Sequence, residues 1–187
     1  MAITIQTVDP YSKKAIEQFL HLPWKIYVTS DGTRDPQWVP PFLPDQRSLL
    51  HPHKNPYHQH SRTKLFMAFQ DQQALVGRIS ASVDDNFNAF WHAKIGFFGW
   101  FECVYDPAVA QALFQAAEQF LQAEGMTSVR GPASFTSNDD YFGFLAEGFD
   151  TPPRIAMTYN PPYYLELAEQ AGYTKAKVLH TRRLSRH

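Results

Sequence analysis

Acidic, thiol and hydroxyl side chains gather where an apolar segment gives way to a helix start. Residues 95–104 are apolar and aromatic without alternation, which is typical of a strand buried on both faces. Glu102 and Cys103 lie near its end, Tyr105 follows, and Asp106-Pro107 supplies an N-cap with proline at the first helical position. Because ligands of strand–helix–strand units lie near the carboxyl ends of the strands, these side chains stand where chemistry is expected.

The segment after this turn predicts a crossover unit. Six apolar residues recur there at helical spacing: Val109, Leu113, Ala116, Ala117, Phe120 and Leu121. Gly125 is placed to end the helix, and residues 126–131 suit a second strand. A helix that returns the chain to a neighbouring strand within about 25 residues implies two parallel strands.

The rest of the chain is predicted to alternate between strands and short helices. In chain order we predict a strand at 3–8, a helix from Asp9-Pro10 to about His21, a partly helical piece at 22–28, a turn-rich segment at 29–62 with a short helix at 45–50, a hairpin of 64–70 and 74–83, a polar connection at 84–93, a helix at 162–171 ended by Gly172, and a last strand at 175–184.

Composition limits the classes of function. With 187 residues, 44% of them apolar, the chain is expected to form one domain with a sizeable core. A net charge of −1 disfavours nucleic acids and anionic membranes as partners. No apolar run approaches the roughly 20 residues of a membrane span, and residues 1–5 favour a strand over a signal peptide. The single Cys103 excludes internal disulfides and cysteine-based zinc sites, and it favours a cytoplasmic location.

Several loops combine aromatic residues with proline and have two possible roles. They are Trp38-Val39-Pro40-Pro41-Phe42, Asn55-Pro56-Tyr57 and Asn160-Pro161-Pro162-Tyr163-Tyr164. Such loops either cover the core or line a groove for a ligand. The polar linker at 134–143 follows a strand end, so it either binds a small ligand or is a plain exposed loop.

The element order and several short phrases resemble the acyl-CoA N-acyltransferase (GNAT) superfamily. More closely, the chain resembles the N-terminal half of a longer bacterial GNAT-like family. The phrases that carry this closer resemblance cover nearly the whole chain: Trp38-Val39-Pro40-Pro41, Asn55-Pro56-Tyr57, Gly77-Arg78-Ile79, Gly96-Phe97-Phe98-Gly99, Arg130-Gly131-Pro132, Gly148-Phe149-Asp150 and Asn160-Pro161-Pro162-Tyr163-Tyr164. Asn160 and Gly172-Tyr173 resemble the two ends of the late helix of the GNAT superfamily.

The resemblance implies an α/β fold, with a mostly antiparallel mixed sheet that splays between two parallel central strands. It also implies a single domain over residues 1–187 that transfers an acyl group from acetyl-CoA or another acyl-CoA to an amine of unknown identity. The alternative is a non-catalytic domain of the same fold that binds a small ligand or a protein partner. Whether the chain is an enzyme stays open at this point.

The resemblance also implies roles for individual residues. Glu102 is the candidate base, acting through water, although a carboxylate paired with Arg78 or Arg130 is equally consistent with its position. The family's acid position falls on Ala168, so that role does not carry over directly. Tyr163 and Tyr164 lie one to two turns earlier; Tyr164 is the candidate acid, and packing alone is the alternative role for either tyrosine. The candidate cofactor-binding residues are Cys103, Val104, Ala108, Ala110 and Asn160.

The loop that cradles the CoA pyrophosphate in GNAT enzymes is degraded here. Its two glycine positions fall on Ala108 and Ala110. Asp106 is expected to cap the N–H groups that would hold a pyrophosphate and to repel that anion, and Pro107 removes one donor. The helix therefore either binds CoA weakly or is purely structural.

Three further expectations concern single features. Four histidines fall within residues 51–60; a solvated loop is favoured over a metal site, and one of them could shape a substrate groove. Cys103 is expected to be a buried apolar thiol and not a nucleophile. The last strand, at 175–184, is expected to leave an open sheet edge, which predicts a homodimer.

Overall fold

The computed structural model describes residues 2–29, 31–135 and 142–181. Its elements in chain order are β1 (Ile3–Thr7), α1 (Lys13–His21), α2 (Pro23–Ile26), α3 (Leu43–Leu50), a 3₁₀ turn (Pro56–Gln59), β2 (Ser61–Gln70), β3 (Ala74–Asp84), α4 (Asp85–Trp91), β4 (Ile95–Cys103), α5 (Pro107–Ala123), β5 (Ser128–Arg130) and α6 (Tyr163–Gln170).

The five strands form one mixed sheet in the order β1-β2-β3-β4-β5. The first four strands pair antiparallel, and β4 pairs parallel with β5. The crossover between these two parallel strands is α5, which lies on one face of the sheet against β1, β2, β3 and β4. The predicted α/β fold with its central crossover is therefore confirmed.

Apolar side chains cover both faces of the sheet, as the continuous apolar pattern of β4 requires. One face packs on α5 and α6, with Leu113, Phe114 and Leu167 fully buried. The opposite face packs under α1, α3 and the 3₁₀ turn, where Phe19 and Tyr57 are buried. The functional side chains described below lie at the carboxyl end of β4, between these two layers.

The parallel pairing of β4 with β5 is short. It runs from Ile95 to Phe97 of β4, although β4 itself continues to Cys103. Beyond it, the amide of Ala133 donates to the carbonyl of Phe98, 2.7 Å away. The chain after β5 then leaves the carboxyl end of β4, which is the splay that the fold prediction contained.

Three predictions about elements are wrong. The first helix starts after Ser12, whose hydroxyl accepts from Ala15 N, because Asp9 instead accepts from the amide of Tyr11. The predicted polar connection at 84–93 contains α4, which the Asp84 side chain caps by accepting from Phe87 N. A helix of seven residues is too short for an apolar period to be recognised from sequence alone.

The predicted last strand is also wrong over its described part. Residues 175–181 form no strand and are exposed, Val178 and Leu179 included, and residues 182–184 lie outside the described residues. Their imperfect alternation leaves no continuous apolar face to bury against the sheet. The homodimer predicted from that strand therefore loses its structural basis. Among the described helices, none is long and apolar enough to cross a membrane.

Candidate functional site

A cavity of about 370 Å³ opens at the carboxyl end of β4, bordered by α2, α3 and the segment that precedes α6. Apolar and aromatic residues from distant segments make up most of its walls, and those named here are Tyr27, Trp38, Val39, Pro40, Pro41, Phe42, Leu49, Trp100, Phe101, Phe144, Ile155 and Met157. Trp38 is buried and stacks on Tyr27 with ring centroids 4.7 Å apart. Of the three aromatic–proline loops, the Trp38–Phe42 loop and the one that begins at Asn160 therefore line a groove. Tyr57 of the Asn55-Pro56-Tyr57 loop is instead buried in the core.

Glu102 is the one acidic side chain among the described residues that line this cavity. It lies opposite Arg78 across β3 and β4, with the Arg78 Nη2 and Glu102 Oε1 atoms 3.6 Å apart. Both side chains are largely buried, at 6% and 14% exposed. Of the two roles considered for Glu102, the pairing with Arg78 is thus confirmed, and it leaves the carboxylate on the cavity wall.

Tyr164 fixes the orientation of Glu102. Its hydroxyl donates to Glu102 Oε2 at 2.7 Å and accepts from the backbone amide of Cys103 at 2.9 Å. The ring is 1% exposed and packs edge-on against Phe101. Burial and the neighbouring carboxylate raise the pKa of Tyr164 well above its ordinary value, so the hydroxyl keeps its proton.

Burial raises the pKa of Glu102 above its ordinary value. The positive charge of Arg78 opposes this increase, as do hydrogen bonds from Tyr164 and Tyr27. A carboxylate whose pKa is raised in this way is a better proton acceptor than an exposed glutamate. The arrangement can therefore accept a proton from a cationic group in the cavity.

A β-bulge at Trp100 lies close to Glu102 in β4. Between Arg78 and Ser80 of β3 the register shifts, so that β4 carries one extra residue there. Trp100 at this point has φ = 50°, a left-handed conformation that is costly for an aromatic residue. Bulges of this kind are over-represented next to active sites.

The N-terminus of α5 does not fit a CoA pyrophosphate. The Asp106 side chain already accepts from the amides of Ala108 and Val109, at 2.9 and 3.4 Å. Pro107 at the first helical position offers no N–H. An incoming pyrophosphate would thus meet a carboxylate in place of free donors, as the sequence predicted.

The edge of β4 where a cofactor would lie is occupied too. The Tyr163 hydroxyl donates to the Cys103 carbonyl at 2.9 Å, and Tyr164 takes the Cys103 amide. These contacts leave little of the local backbone for a cofactor.

The remaining candidates have structural contacts. Asn160 is 4% exposed and holds the backbone of Leu145, whose amide donates to Asn160 Oδ1 at 2.7 Å. Ala110 is fully buried under the sheet, and Ala108 is exposed. The Cys103 thiol is fully buried and its pKa is raised by burial, so the expected apolar thiol is confirmed.

We expect acetyl-CoA to bind with a dissociation constant weaker than about 100 μM, or roughly −5.5 kcal/mol. The reason is that the Asp106 carboxylate accepts from the free amides at the start of α5 and repels the pyrophosphate of CoA. Calorimetry with acetyl-CoA measures this constant. Asp106→Gly should tighten binding, although losing the cap costs about 1 kcal/mol of stability. The surface variant Asp71→Gly is the control, and low-micromolar binding by the unaltered chain would contradict the expectation.

The four histidines of residues 51–60 have local structural contacts. His58 Nε2 lies 3.0 Å from the carbonyl of Leu49, and His60 Nδ1 lies 3.1 Å from Asp84 Oδ1. His51 Nδ1 accepts from the amide of His53. Within the described part of the chain, no group of three potential ligands is placed to hold a metal ion.

Sequence reasoning did not identify Tyr27, Trp100 and Arg78 as members of the site. Arg78 was named only as part of a short phrase and as a possible partner for Glu102. A charged residue in the middle of an otherwise apolar strand is the signal that could have marked it, because such a side chain needs a buried partner. The linker at 134–143 borders the cavity through Ser134 and Gly143, and its residues 136–141 lie outside the described residues.

Two curated proteins match most of this chain. The bacterial ceramide synthase of Caulobacter vibrioides is 35% identical over 165 residues, which cover 88% of this chain and 41% of that protein. Protein YghO of Escherichia coli is 35% identical over 164 residues, covering 88% of this chain and 40% of that protein. The chain thus spans about two fifths of the length of the curated relatives it matches. No protein-family model matches it.

Solved structures resemble this one over nearly its whole length. A putative acetyltransferase from Pyrococcus furiosus superposes with a TM-score of 0.54 at 12% identity, covering 98% of this chain and 100% of that chain. AAC(6')-Iy, in complex with a CoA-based bisubstrate analogue, superposes with a TM-score of 0.51 at 12% identity, covering 99% of this chain and 100% of that chain. Glucosamine-6-phosphate N-acetyltransferase from Arabidopsis thaliana superposes with a TM-score of 0.51 at 9% identity, covering 99% of this chain and 100% of that chain. At these identities the likeness concerns the fold alone.

Proposed function

We propose that this chain, which has the fold of the GNAT acetyltransferases, binds a long-chain amine and removes its proton so that the amine can be acylated. The observation that carries the proposal is a buried carboxylate, Glu102, on the wall of a cavity that is largely apolar but also lined by the cations Arg78 and Arg154. A carboxylate there attracts an ammonium group, and the apolar walls favour a hydrocarbon chain over water.

The name of one relative supports a long-chain substrate. A ceramide is the amide of a fatty acid and a long-chain amino alcohol, and the ceramide synthase of Caulobacter vibrioides matches 88% of this chain. The cavity opening agrees with a lipid-like chain, since exposed apolar side chains line it, among them Val39, Phe42, Ile155 and Met157. A hydrocarbon tail would leave along these residues while its amine lies at Glu102.

The proton transfer follows from the contacts of Glu102. An amine enters as an ammonium ion, which cannot form an amide because its nitrogen has no free electron pair. One N–H bond breaks as the proton passes to a Glu102 oxygen, and the neutral amine keeps the electron pair. Tyr164 holds Glu102 in place through its hydrogen bond, and the raised pKa of Glu102 favours the transfer. Tyr164 is therefore proposed as a positioning residue.

We assign no residue of this chain to the acyl donor. Acyl-CoA, and acetyl-CoA in particular, is the donor that the fold family implies, and an acyl-CoA supplies an activated acyl group when bound. The capped terminus of α5 does not fit its pyrophosphate. The cytoplasmic location stays a prediction, and so does the single domain over residues 1–187.

The capped helix favours a second candidate function. In that alternative the chain binds a long-chain amine without taking part in amide formation. The two candidate functions use the same cavity, but only the acyltransferase converts the bound amine into an amide. Mass spectrometry of mixtures of the chain, an acyl-CoA and a long-chain amine distinguishes them, because only an acyltransferase produces the amide faster than a protein-free mixture does.

Binding of decylamine tests the proposed function. We expect calorimetry to give a dissociation constant in the micromolar range, roughly −7 to −8 kcal/mol. Decanoate has the same tail but carries a negative charge, so it should bind at least about tenfold more weakly next to Glu102. Equal affinity for decylamine and decanoate would contradict the assignment of Glu102 to the ammonium.

A further inference from the structure

We infer that the mouth of the cavity is a membrane-binding surface, which enters the head-group region of a phospholipid bilayer while the cavity stays open. Its basis is a cluster of four exposed apolar side chains that line the mouth and are called the mouth patch below: Val39, Phe42, Ile155 and Met157. Single exposed apolar residues need no explanation, but a cluster of them around one opening marks an interaction surface. The inference goes beyond the proposed function and does not depend on it.

Ile155 lies at the tip of a tight turn. The amide of Met157 donates to the carbonyl of Arg154 at 3.0 Å, which closes the turn around Ile155 and Ala156. Ala156 has φ = 67°, a left-handed conformation that is costly for alanine. The turn thus presents an isoleucine that is 99% exposed. Such a side chain has almost no packing to lose, so its entry into a bilayer gains apolar burial without disturbing the fold.

The loop that carries Val39 and Phe42 is held in place at both ends. Trp38 at its start is buried and stacks on Tyr27. Two prolines restrict the backbone between the two patch residues, and Phe42 then stands at the N-cap of α3. The exposed side chains therefore project from a fixed backbone. A surface that is ordered beforehand loses little conformational freedom on binding, which favours insertion.

The size and the position of the mouth patch favour a bilayer over a protein partner. A stable protein–protein interface takes about 20–30 residues from each side, whereas the patch has four large apolar side chains. A folded partner seated on the patch would also close the entrance to the cavity of about 370 Å³ behind it. Lipid molecules are mobile, so a bilayer can cover the patch and still exchange molecules with the cavity.

The charge at the mouth agrees with a phospholipid surface. Arg154 is the one exposed charged residue among the described residues that line the cavity, since Arg78 and Glu102 are largely buried and face each other. It directly precedes Ile155, so its guanidinium can contact lipid phosphates while Ile155 enters the apolar layer. The net charge of −1 supplies no long-range attraction to anionic lipid. Binding therefore rests mainly on apolar insertion, and Arg154 adds a modest preference for anionic lipid.

Flotation of the full chain with vesicles tests the inference, using phosphatidylcholine alone and a mixture with phosphatidylglycerol. At about 1 mM lipid we expect at least about half of the chain to float, with about fivefold tighter binding to the mixture. Phe42→Ser should weaken binding about tenfold, and serine is a favoured N-cap, so α3 should be kept. Phe90→Ser is the matched control, because Phe90 is similarly exposed on α4 at the other end of β4. It should leave binding unchanged.

Three outcomes would overturn the inference. They are the absence of flotation with both kinds of vesicle, equal losses in Phe42→Ser and Phe90→Ser, and a lipid-free dimer, seen by light scattering, that Phe42→Ser dissociates. The last outcome would show that a second copy covers the mouth patch. Calorimetry with decylamine separates this test from the proposed function: amine binding without flotation overturns this inference alone, and flotation without amine binding contradicts the proposed function alone.

Discussion

Replacing Glu102 by glutamine is expected to weaken the binding of a long-chain amine about 100-fold at neutral pH, because removing one partner of a buried charge pair costs roughly 2–5 kcal/mol. Glutamine has nearly the same shape and can still accept from Tyr164. The loss thus isolates the negative charge. Calorimetry with decylamine measures it, and where amide formation is observed its rate should fall about 10²- to 10⁴-fold.

Glu169→Gln is the control for this prediction. Glu169 is an exposed glutamate of α6 and does not line the cavity, so its replacement should leave amine binding unchanged. Circular dichroism of Glu102→Gln establishes that the variant is folded, since Arg78 then lacks its anion. Retention of full amine affinity by a folded Glu102→Gln protein would rule out Glu102 as the ammonium partner.

The pH dependence of this binding has a defined sign. Glu102 attracts an ammonium only when it is ionised, and its pKa lies above the ordinary 4.5 of a glutamate because it is buried. Amine affinity should therefore rise as the pH increases through that raised pKa, and the midpoint should lie above 4.5. In Glu102→Gln this rise should disappear.

Gly99→Ala is expected to lower the free energy of unfolding by about 3 kcal/mol or more. A Cβ built at Gly99 lies 2.0 Å from the carbonyl oxygen of Ala133 and 2.6 Å from its carbonyl carbon. Both are backbone atoms, so relief requires the segment after β5 to move away from β4. Thermal unfolding should show a decrease in Tm of roughly 6–12 °C for a chain of this size.

Gly96→Ala is the matched control, since it lies on the same strand and is equally buried. There the added Cβ meets the side chain of Leu121, at 2.5 Å from Cδ2. A side chain can change rotamer where a backbone carbonyl cannot, so we expect a loss of about 1–2 kcal/mol. Equal destabilisation by the two variants would contradict the importance of the close backbone approach at Gly99.

The sequence by itself determined the central crossover and the state of the helix terminus. The continuous apolar run of β4, the proline after Asp106 and the helical spacing of Val109 and Leu113 are local patterns, and each fixes backbone conformation over a few residues. For the same reason the capping role of Asp106 was predictable, because a cap bonds to amides two or three residues away. The hairpin of β2 and β3, with its short turn, was predictable for the same reason.

Sequence patterns gave wrong predictions of secondary structure where the conformation of a segment depends on which other segments lie near it in space. Residues 175–181 carry a strand-like alternation, but nothing in a sequence shows whether a sheet edge is within reach to pair with them. Asp9 and Ser12 both suit an N-cap, and the choice between them depended on how the chain leaves β1. In each case the local signal was compatible with two outcomes.

The tertiary structure alone decided the candidate site. Glu102 and Tyr164 are 62 residues apart in sequence, and their contact exists because α6 packs over the carboxyl end of β4. Arg78 reaches Glu102 through strand register, which a slip of one residue would abolish by turning its side chain to the other face. Burial then raises the pKa of Glu102, and it leaves Trp100 Nε1 and Arg78 Nε without a hydrogen-bond partner among the described residues. Those properties belong to the packed environment, whereas the sequence supplies only the chemical groups.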